Sequence, residues 1–373
     1  MQPETQPNRA SSGELPRGIV GYRPALDEEL FAFQRAAYPQ RRVDWVMPRW
    51  RWMFLNSAQR CGTTPMVWLY RSKDGIVAHQ GAIPVRFRFA GEEQLTGWFV
   101  ETRVLESMRG RAVGPMLIKK ALEDLPFNLS LGQTEQMREL QFALGWRQVT
   151  PLPVHALILN PAQVLQGKLH NPLARKVASA TWTLGRSLRQ RIQGNGHGTE
   201  LEVVEITNFG DKHTQLWERV KGGYQCAVVR DSSYLNWKYV EQPGQEFVRL
   251  DLCRSGELKA TLVLMFRDPD DAYQYRRAFI VDFVGPLDDP GILRGTLLAA
   301  AQSCQDRGAD AVVLHALCRS LETAARACGF LRRPPTRFLL IATGGLEPSQ
   351  AEALSTVEKW FLSMGDSDID RPW

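Results

Sequence analysis

The segment Glu101-Thr-Arg-Val-Leu-Glu-Ser-Met-Arg-Gly-Arg-Ala-Val-Gly114 joins an extended apolar run to a helical pattern. The run over residues 98–105 is typical of a strand, and PMLIKKALED after the segment has the apolar spacing of a helix. The first turn of a helix carries unpaired N–H groups and the positive end of the helix dipole. Small residues let an anion approach those groups, and two arginines add matching charge. The segment therefore predicts a site for a phosphate-bearing ligand.

The spacing of this loop matches neither the dinucleotide-binding nor the Walker pattern. It resembles the Arg/Gln-x-x-Gly-x-Gly/Ala loop with which GNAT acyltransferases hold the pyrophosphate of acyl-coenzyme A (acyl-CoA). In that family an acidic residue and a valine precede the loop on one strand, as Glu101 and Val104 do here. The resemblance assigns acyl-CoA binding to Val104, Arg109, Gly110, Arg111, Ala112, Val113 and Gly114.

One position departs from the family pattern, because Ala112 stands where the middle glycine is usual. A methyl group is tolerated there only if the residue has helical dihedral angles and the pyrophosphate does not press on it. This departure affects the expected affinity for coenzyme A rather than the expected fold.

Length and composition predict a soluble protein of two domains. The chain has 373 residues, of which 44% are hydrophobic and 23% charged. It contains no apolar run of the roughly 18 residues that a membrane span needs. Residues 1–17 are polar and predict a disordered leader. The six cysteines show no metal-ligand spacing, so we expect buried thiols in a reducing cytoplasm and no bound metal.

The net charge of +6 is concentrated in one segment, since residues 161–199 contain no aspartate or glutamate. The rest of the chain is neutral by count, which argues against DNA as a partner. Apolar residues recur at near-helical spacing over 173–193 and predict an amphipathic basic helix. Two roles remain open for it, a linker helix with a solvated basic face and peripheral contact with an anionic membrane surface.

Two halves of the chain, residues 18–160 and 200–373, share one order of elements. Each half reads as a β-hairpin, a strand with one acidic residue (Glu101 or Asp282), a helix, a strand, a short helix and a final strand. The final strands are VHALILN and RFLLIAT, and the alignment matches Trp50 with Trp237. The predicted fold class is α/β, with two tandem GNAT-like mixed-sheet domains joined by a basic helical linker over residues 161–199.

The second half lacks the phosphate-binding loop. Its counterpart runs from Gly285 to Gly291 and contains Asp288 and Asp289, whose charges would repel a pyrophosphate. We therefore expect the first half to bind acyl-CoA, and the second to bind it poorly or not at all.

The resemblance implies a chemistry for the first half. GNAT proteins stabilise the oxyanion of acyl transfer with a backbone N–H at a strand bulge, which we expect near Val104 to Glu106. Glu101 is the candidate base, directly or through water. The alternative for Glu101 is a structural carboxylate paired with Arg103 or Arg138.

Two further residues bear on this chemistry. Many GNAT proteins place a tyrosine as leaving-group acid where this chain has Gln141, and an amide can hydrogen-bond sulfur but cannot supply a proton. Thiolate would then leave unassisted or with help from another residue. His79 is expected to be a core histidine, with a place in the substrate cleft as the alternative.

The end of the chain gives two more predictions. Residues 360–364 are expected to form a last strand that closes the second domain. Asp366, Asp368 and Asp370 imitate the start of a calcium-binding loop, but Arg371 occupies the glycine position, which excludes an EF-hand.

The element Arg49-Trp50-Arg51-Trp52 followed by a hairpin resembles one that recurs in GNAT-like proteins of bacterial polysaccharide-synthesis clusters. The resemblance implies transfer of an acyl group from acyl-CoA to an amine. The acceptor would be an amino sugar or its nucleotide- or lipid-linked form. Two other readings stay open: a Fem-type aminoacyl transferase that uses aminoacyl-tRNA, and a non-catalytic binding protein derived from the fold. The sequence does not determine the acyl chain length or the oligomeric state.

Overall fold

A computed structural model describes residues 16–166 and 201–370. The leader expected over residues 1–17 lies almost wholly outside these ranges, as does most of the basic segment 161–199, so the helix and membrane contact expected for 173–193 remain predictions. Among the described residues, no helix is both long and apolar enough to cross a membrane.

The strands are β1 Gly18–Gly21, β2 Val67–Ser72, β3 Gly75–Phe89, β4 Glu92–Val104, β5 Asn128–Leu131, β6 Arg147–Pro151, β7 Val154–Ile158, β8 Glu202–Ile206, β9 Ala227–Val228, β10 Val248–Arg254, β11 Glu257–Arg267, β12 Arg277–Val284, β13 Ala311–Leu317, β14 Leu331–Arg333, β15 Phe338–Ala342 and β16 Leu362–Ser363. The α-helices are α1 Asp27–Ala37, α2 Val43–Arg51, α3 Ser57–Cys61, α4 Val113–Asp124, α5 Glu135–Ala143, α6 Pro161–Val164, α7 Asp211–Val220, α8 Ser232–Tyr239, α9 Pro290–Asp306, α10 Arg319–Ala327 and α11 Pro348–Ser355.

These strands form two mixed sheets of eight strands each within the described ranges, which confirms the predicted fold class. The first sheet has the order β1-β2-β3-β4-β5-β15-β6, with β9 on β3, and the second has the order β14-β7-β13-β12-β11-β10-β8, with β16 on β13. Each sheet contains one parallel pair, β4 with β5 and β12 with β13. We call each sheet with the helices packed on it a lobe, the first and the second.

The two lobes exchange strands. β15, from the second half of the chain, lies between β5 and β6 of the first sheet, and β7, from the first half, lies between β13 and β14 of the second sheet. The expectation that VHALILN and RFLLIAT each complete their own half is therefore wrong. Hydrophobic periodicity identifies a buried strand but not the sheet that it joins, and an exchanged strand makes each sheet depend on the other half of the chain.

A second link between the lobes is a reciprocal tryptophan contact. Residues 43–61 form one continuous helical segment whose middle, Trp52–Asn56, is a π-helix. Trp52 stacks on Trp237 of α8 at 4.8 Å between ring centres. Each indole N–H donates to the backbone oxygen of the other residue, at 2.7 and 2.9 Å. Such mutual contact is typical of elements related by a twofold axis. The contact joins Trp237 to Trp52, which lies two residues after the Trp50 that the sequence alignment matched with Trp237.

Helix α4 is held against the first sheet by its apolar face. Val113, Leu117, Ile118 and Ala121 recur at helical spacing and are all buried. They pack in one cluster with residues of β2, β3 and β4, among them Trp68. This packing fixes the N-terminus of α4 at the end of β4, where the loop singled out by the sequence lies.

Candidate active site

The central feature of the first lobe is a split between β4 and β5. These parallel strands pair only at Gly97 with Asn128 and at Trp98 with Leu129, and they separate beyond that point. A cavity of about 700 Å³ occupies the gap and is lined by residues 99–104 of β4 on one side and residues 130–134 on the other. Within the described residues no strand pairs with the part of β4 that faces this gap, so its N–H and C=O groups can pair with an extended ligand.

The predicted phosphate loop lies at the mouth of this first cavity. Arg109, Gly110, Ala112, Val113 and Gly114 line the cavity together with Val104. Helix α4 begins at Val113, and no side chain caps its N-terminus. The first-turn N–H groups are therefore available to an anion, as the sequence suggested.

Ala112 does not have the helical dihedral angles that a residue with a side chain was expected to need at this position. Its φ of +57° and ψ of +13° lie in the left-handed region rather than in the right-handed helical region. A residue with a Cβ costs about 1–2 kcal/mol in that conformation. The loop thus has the shape that a glycine would give it, and Ala112 holds that shape under strain.

The two arginines of the loop have different positions. Arg109 lines the cavity and forms an exposed ion pair with Glu106 at 3.1 Å. Arg111 is exposed and is not among the residues that line the cavity. An exposed ion pair contributes little to stability, so Arg109 can exchange Glu106 for a phosphate at small cost.

Glu101 lines the first cavity, and its carboxylate is held by a partner that the sequence did not identify. Arg41 donates two hydrogen bonds to it, at 2.7 and 2.9 Å, instead of the expected Arg103 or Arg138. The Glu101 side chain is 2% exposed. Burial would raise the pKa of Glu101, but the charge of Arg41 and hydrogen bonds from Arg41 and Tyr38 outweigh it and lower the pKa.

The strand bulge lies at Glu101 rather than near Val104 to Glu106. Val104 and Arg103 pair regularly with β3, and two residues, Glu101 and Thr102, then face the single residue Gln80. Glu101 has a φ of +58°, which is unusual for a residue with a side chain. Bulges turn strand N–H groups away from the ladder, so this one is the candidate source of an oxyanion donor.

His79 is a core histidine. It is fully buried, and its Nε2 lies 3.0 Å from the Trp50 indole N–H, which can only donate. The ring proton is therefore on Nδ1, which donates to the Glu101 backbone oxygen at 2.8 Å. Burial lowers the pKa of His79, so the ring is neutral, and its hydrogen bond to the Glu101 backbone oxygen helps to hold the bulge in place.

Gln141, at the position of the missing tyrosine, does line the first cavity. It is buried, and its amide donates to the Ser130 hydroxyl at 3.0 Å. Ser130 lines the same cavity from β5. The pair places a hydroxyl and an amide beside any thioester bound in the split, but neither group is a proton donor of the strength of a tyrosine.

Three charged or polar residues of this cavity that sequence reasoning did not assign to the site are Tyr38, Arg41 and Asp368. Tyr38 and Arg41 lie in the connection between α1 and α2, and the Arg41 guanidinium lies 3.6 Å from the Tyr38 ring centre. Asp368 is buried near the end of the described chain, close enough to Arg41 for its charge to raise the pKa of that group. All three are distant from the loop in sequence, so no spacing could have revealed them.

The second lobe has the same split, but the chain itself fills it. β12 and β13 pair in parallel up to Ile280 and Leu314. Beyond that point β16 pairs with β13, and the Gly365 N–H donates to the Val281 oxygen at 2.8 Å. Of the residues 360–364 predicted as a last strand of this lobe, Leu362 and Ser363 form a strand. Together with Gly365 they occupy the gap that is a cleft in the first lobe, so the described residues leave no cleft here.

Comparison of the sequence with protein-family models and with curated proteins gave no match. Solved structures similar to this chain include a GCN5-related N-acetyltransferase from Anabaena variabilis, with a TM-score of 0.58, 10% identity, and coverage of 86% of this chain and 71% of that one. Another is a probable N-acyltransferase from Enterococcus faecalis, with a TM-score of 0.59, 8% identity and the same coverages. N-myristoyltransferase from Saccharomyces cerevisiae, with bound myristoyl-CoA, has a TM-score of 0.53, 12% identity, and coverage of 88% and 84%.

These likenesses establish the fold, which is a tandem GNAT-like fold. Across residues 16–166 and 201–370, the split is open in the first lobe and filled in the second. At 8–12% identity these likenesses carry no substrate or residue role to this chain.

Proposed function

We propose that this protein is an N-acyltransferase that moves an acyl group from acyl-CoA, bound in the first lobe, to an amine. The observation that carries the proposal is one cavity in which the open split, the uncapped N-terminus of α4 and the Glu101 carboxylate meet. The fold neighbours include enzymes of this class, which supports the proposal.

The cavity can hold each part of acyl-CoA in turn. The pyrophosphate would lie against the N-terminus of α4, with Arg109 as a charged partner. The pantetheine chain, which carries two amides, would pair with the unpaired edge of β4 beyond Trp98. The thioester would then reach the bulge at Glu101, whose N–H groups can stabilise the developing oxyanion.

The amine would be deprotonated at the carboxylates of this cavity. Glu101 is ionised at neutral pH because its pKa is lowered, and it remains the proposed base, directly or through water. A lowered pKa makes it a weak base, so its contribution depends on holding the amine or a water molecule in position. Asp368, in the same cavity, is a second carboxylate that can bind the ammonium form of the acceptor.

The thiolate of coenzyme A would leave next to Ser130 and Gln141. A thiol has a pKa near 8.5, so its anion can depart near neutral pH with hydrogen bonds alone. The ammonium form of the acceptor first loses one proton to give the neutral amine. Attack of this amine breaks the carbonyl–sulfur bond, forms a carbonyl–nitrogen bond, and gives the thiolate and a second proton.

For the acceptor we propose an amino sugar or its nucleotide- or lipid-linked form, in bacterial polysaccharide synthesis in the cytoplasm. The proposed acceptor and its role in polysaccharide synthesis rest on the sequence resemblance to GNAT-like proteins of such gene clusters.

Calorimetric titration with acetyl-CoA and desulfo-CoA, followed by a thiol-release assay with amino-sugar acceptors, tests the proposal. We expect saturable binding at one site and acceptor-dependent thiol release. Absence of binding would refute the acyl-CoA assignment. Tight binding with no turnover on any amine would favour a non-catalytic protein, and RNA binding without coenzyme A binding would favour the Fem-type alternative.

A further inference from the structure

The second lobe contains a larger cavity that the proposed function does not yet use. Its volume is about 970 Å³. Its floor comes from alternate residues of four neighbouring strands, because every second side chain of a strand lies on the same face of the sheet. The floor residues are Arg277 and Phe279 of β12, Ala311, Val313 and His315 of β13, Val154, Ala156 and Ile158 of β7, and Leu331 and Arg333 of β14. The exchange of β7 is therefore part of what builds this second cavity.

The charge of the second cavity is strongly positive. Four arginines, Arg267, Arg277, Arg333 and Arg337, line it, against one aspartate, Asp270. Because the arginines outnumber the aspartate, the lining carries a net positive charge that is complementary to a negatively charged ligand. The remaining floor is mostly aliphatic, which suits a ligand that also has an apolar part.

Arg277 is the best-defined polar group of the lining. Its side chain is 11% exposed, and its guanidinium lies 3.8 Å from the ring centre of Tyr273. It pairs with Asp270, which lies on an exposed loop, while its buried Nε has no hydrogen-bond partner within the described residues. The ring nitrogen Nδ1 of His315, in the same floor, is also buried without such a partner. Buried polar atoms are rarely left unpaired, so these atoms point to a ligand.

The second cavity shares a wall with the first. A Cβ placed on Gly132, which lines the first cavity, would lie 2.6 Å from Cγ2 of Ile369 and 3.6 Å from Nε of Arg337, and both of these residues line the second cavity. The neighbour of Ile369 in sequence, Asp368, lines the first cavity. Asp368 and Ile369 thus lie between the two cavities, which are separated by about the thickness of one side chain.

We propose that the second cavity binds the acceptor, and that the acceptor is an amine whose molecule also carries a diphosphate group. The inference rests on the proposed function and narrows its substrate class. The diphosphate lies among the arginines, because its oxygens match guanidinium donors that arrive from several strands. The apolar portion of the acceptor packs on the sheet floor, with the amine at the wall that Ile369 forms. Displacement of the Ile369 side chain would bring the amine to the thioester in the first cavity.

Direct binding tests this inference without requiring turnover. The protein is first saturated with desulfo-CoA, so that the loop before α4 is occupied, and is then titrated in a calorimeter with uridine diphosphate glucosamine, farnesyl diphosphate and glucosamine. We expect a diphosphate compound to bind and glucosamine alone to bind at least about tenfold more weakly, since charge-assisted hydrogen bonds are lost. The tighter of the two diphosphates identifies a nucleotide-linked or a lipid-linked acceptor.

Variants assign the binding to the cavity. Arg277→Gln combined with Arg333→Gln should weaken diphosphate binding by about tenfold or more. Arg332→Gln is the matched control: it changes an exposed arginine next to Arg333 that does not line the cavity, and binding should stay within about twofold. If the double variant melts early, Arg333→Gln alone serves, because Arg333 is exposed.

Absence of diphosphate binding to the wild-type complex, or binding that the arginine variants retain, would overturn the inference. Neither result bears on acyl-CoA binding or on acylation of simple amines, which the titration and thiol-release assay above measure separately. A failed proposed function and a failed acceptor assignment are therefore distinguishable.

Discussion

The two lobes have the same strand order around their parallel pair, and they differ in what occupies the gap beyond it. In the first lobe the gap between β4 and β5 is a cavity of about 700 Å³. In the second lobe the gap between β12 and β13 is occupied by Leu362 to Gly365 of the same chain. The fold therefore supplies a cleft for an extended ligand, and a few residues of chain are enough to fill this cleft as part of the core.

The helix that follows each parallel pair shows the same contrast. The N-terminus of α4 has no side-chain cap. The N-terminus of α9 is capped by Asp289, whose carboxylate accepts a hydrogen bond from the Ile292 N–H at 2.9 Å. The Asp289 carboxylate already accepts a hydrogen bond from this terminus and interacts with the positive end of the helix dipole. A pyrophosphate would therefore bind less favourably there than at α4.

The acidic residue of each strand β4 and β12 also has two different surroundings. Glu101 faces a cavity and is held by Arg41 and Tyr38. Asp282 is enclosed in a buried network with Arg230, at 3.0 Å, and with Tyr239, at 2.7 Å. The same position of the fold therefore presents a carboxylate to a ligand in one lobe and stabilises the core in the other.

The largest expected effect separates these two carboxylates. Glu101→Gln should lower turnover by roughly 10²–10⁴-fold while acyl-CoA affinity stays nearly unchanged. The loss should shrink at high pH, where the free amine is already neutral. Thiol release at pH 7 and pH 9, with calorimetric affinity, measures both parts.

Asp282→Asn is the matched change in the second lobe. It should cost about 1–3 kcal/mol of stability by removing one of the two buried carboxylates that hold Arg230, since Asp366 still pairs with it at 2.7 Å, while turnover per folded molecule stays normal. If either variant fails to fold, Tyr38→Phe and Tyr239→Phe are a milder pair of matched changes, because each removes one hydroxyl that hydrogen-bonds the carboxylate of its lobe. Near-normal turnover of the Glu101 variant at pH 7 would remove the proposed base from the mechanism.

A smaller effect separates the two helix termini. Gly114→Asp should weaken acyl-CoA binding by about 100-fold or more, because a carboxylate would replace the pyrophosphate at the N-terminus of α4. Folding should be retained, since an acidic residue suits the first turn of a helix. Calorimetry with acetyl-CoA measures the change.

Gly291→Asp is the control, because it places the same charge in the first turn of α9, whose N-terminus is already capped. Its affinity should match the wild type. Equal losses from both variants, or no loss from either, would contradict the assignment of acyl-CoA to the first lobe alone.

The smallest effect concerns the strained loop residue. Ala112→Gly should relieve a left-handed φ and raise stability by up to about 1 kcal/mol after the entropy of glycine is counted, and it should improve acyl-CoA affinity a few-fold. Ser255→Gly, at an exposed turn of the second lobe with a φ of +51°, should raise stability alike without changing affinity. Melting curves and calorimetry compare them, and an affinity gain shared by both variants would show that the loop is not the cause.

The sequence alone is enough to predict the local features. It predicted a strand that delivers small residues into the N-terminus of a helix, a repeated α/β unit, and a last strand at residues 360–364, because these follow from hydrophobic period, capping chemistry and glycine placement over short spans. Val104, Gly114 and Gln141 were likewise placed in one cleft from loop spacing and family resemblance, and the structure brings them together.

How these parts combine is visible only in the folded chain. The partner of Glu101 is Arg41, and β7 lies in the sheet of the other half. The gap of the second lobe is filled from the far end of the chain. Each of these is a contact between residues far apart in sequence. Such pairings depend on the relative packing of whole sheets, and a pattern of residue types along the chain carries no record of which distant segment completes a given surface.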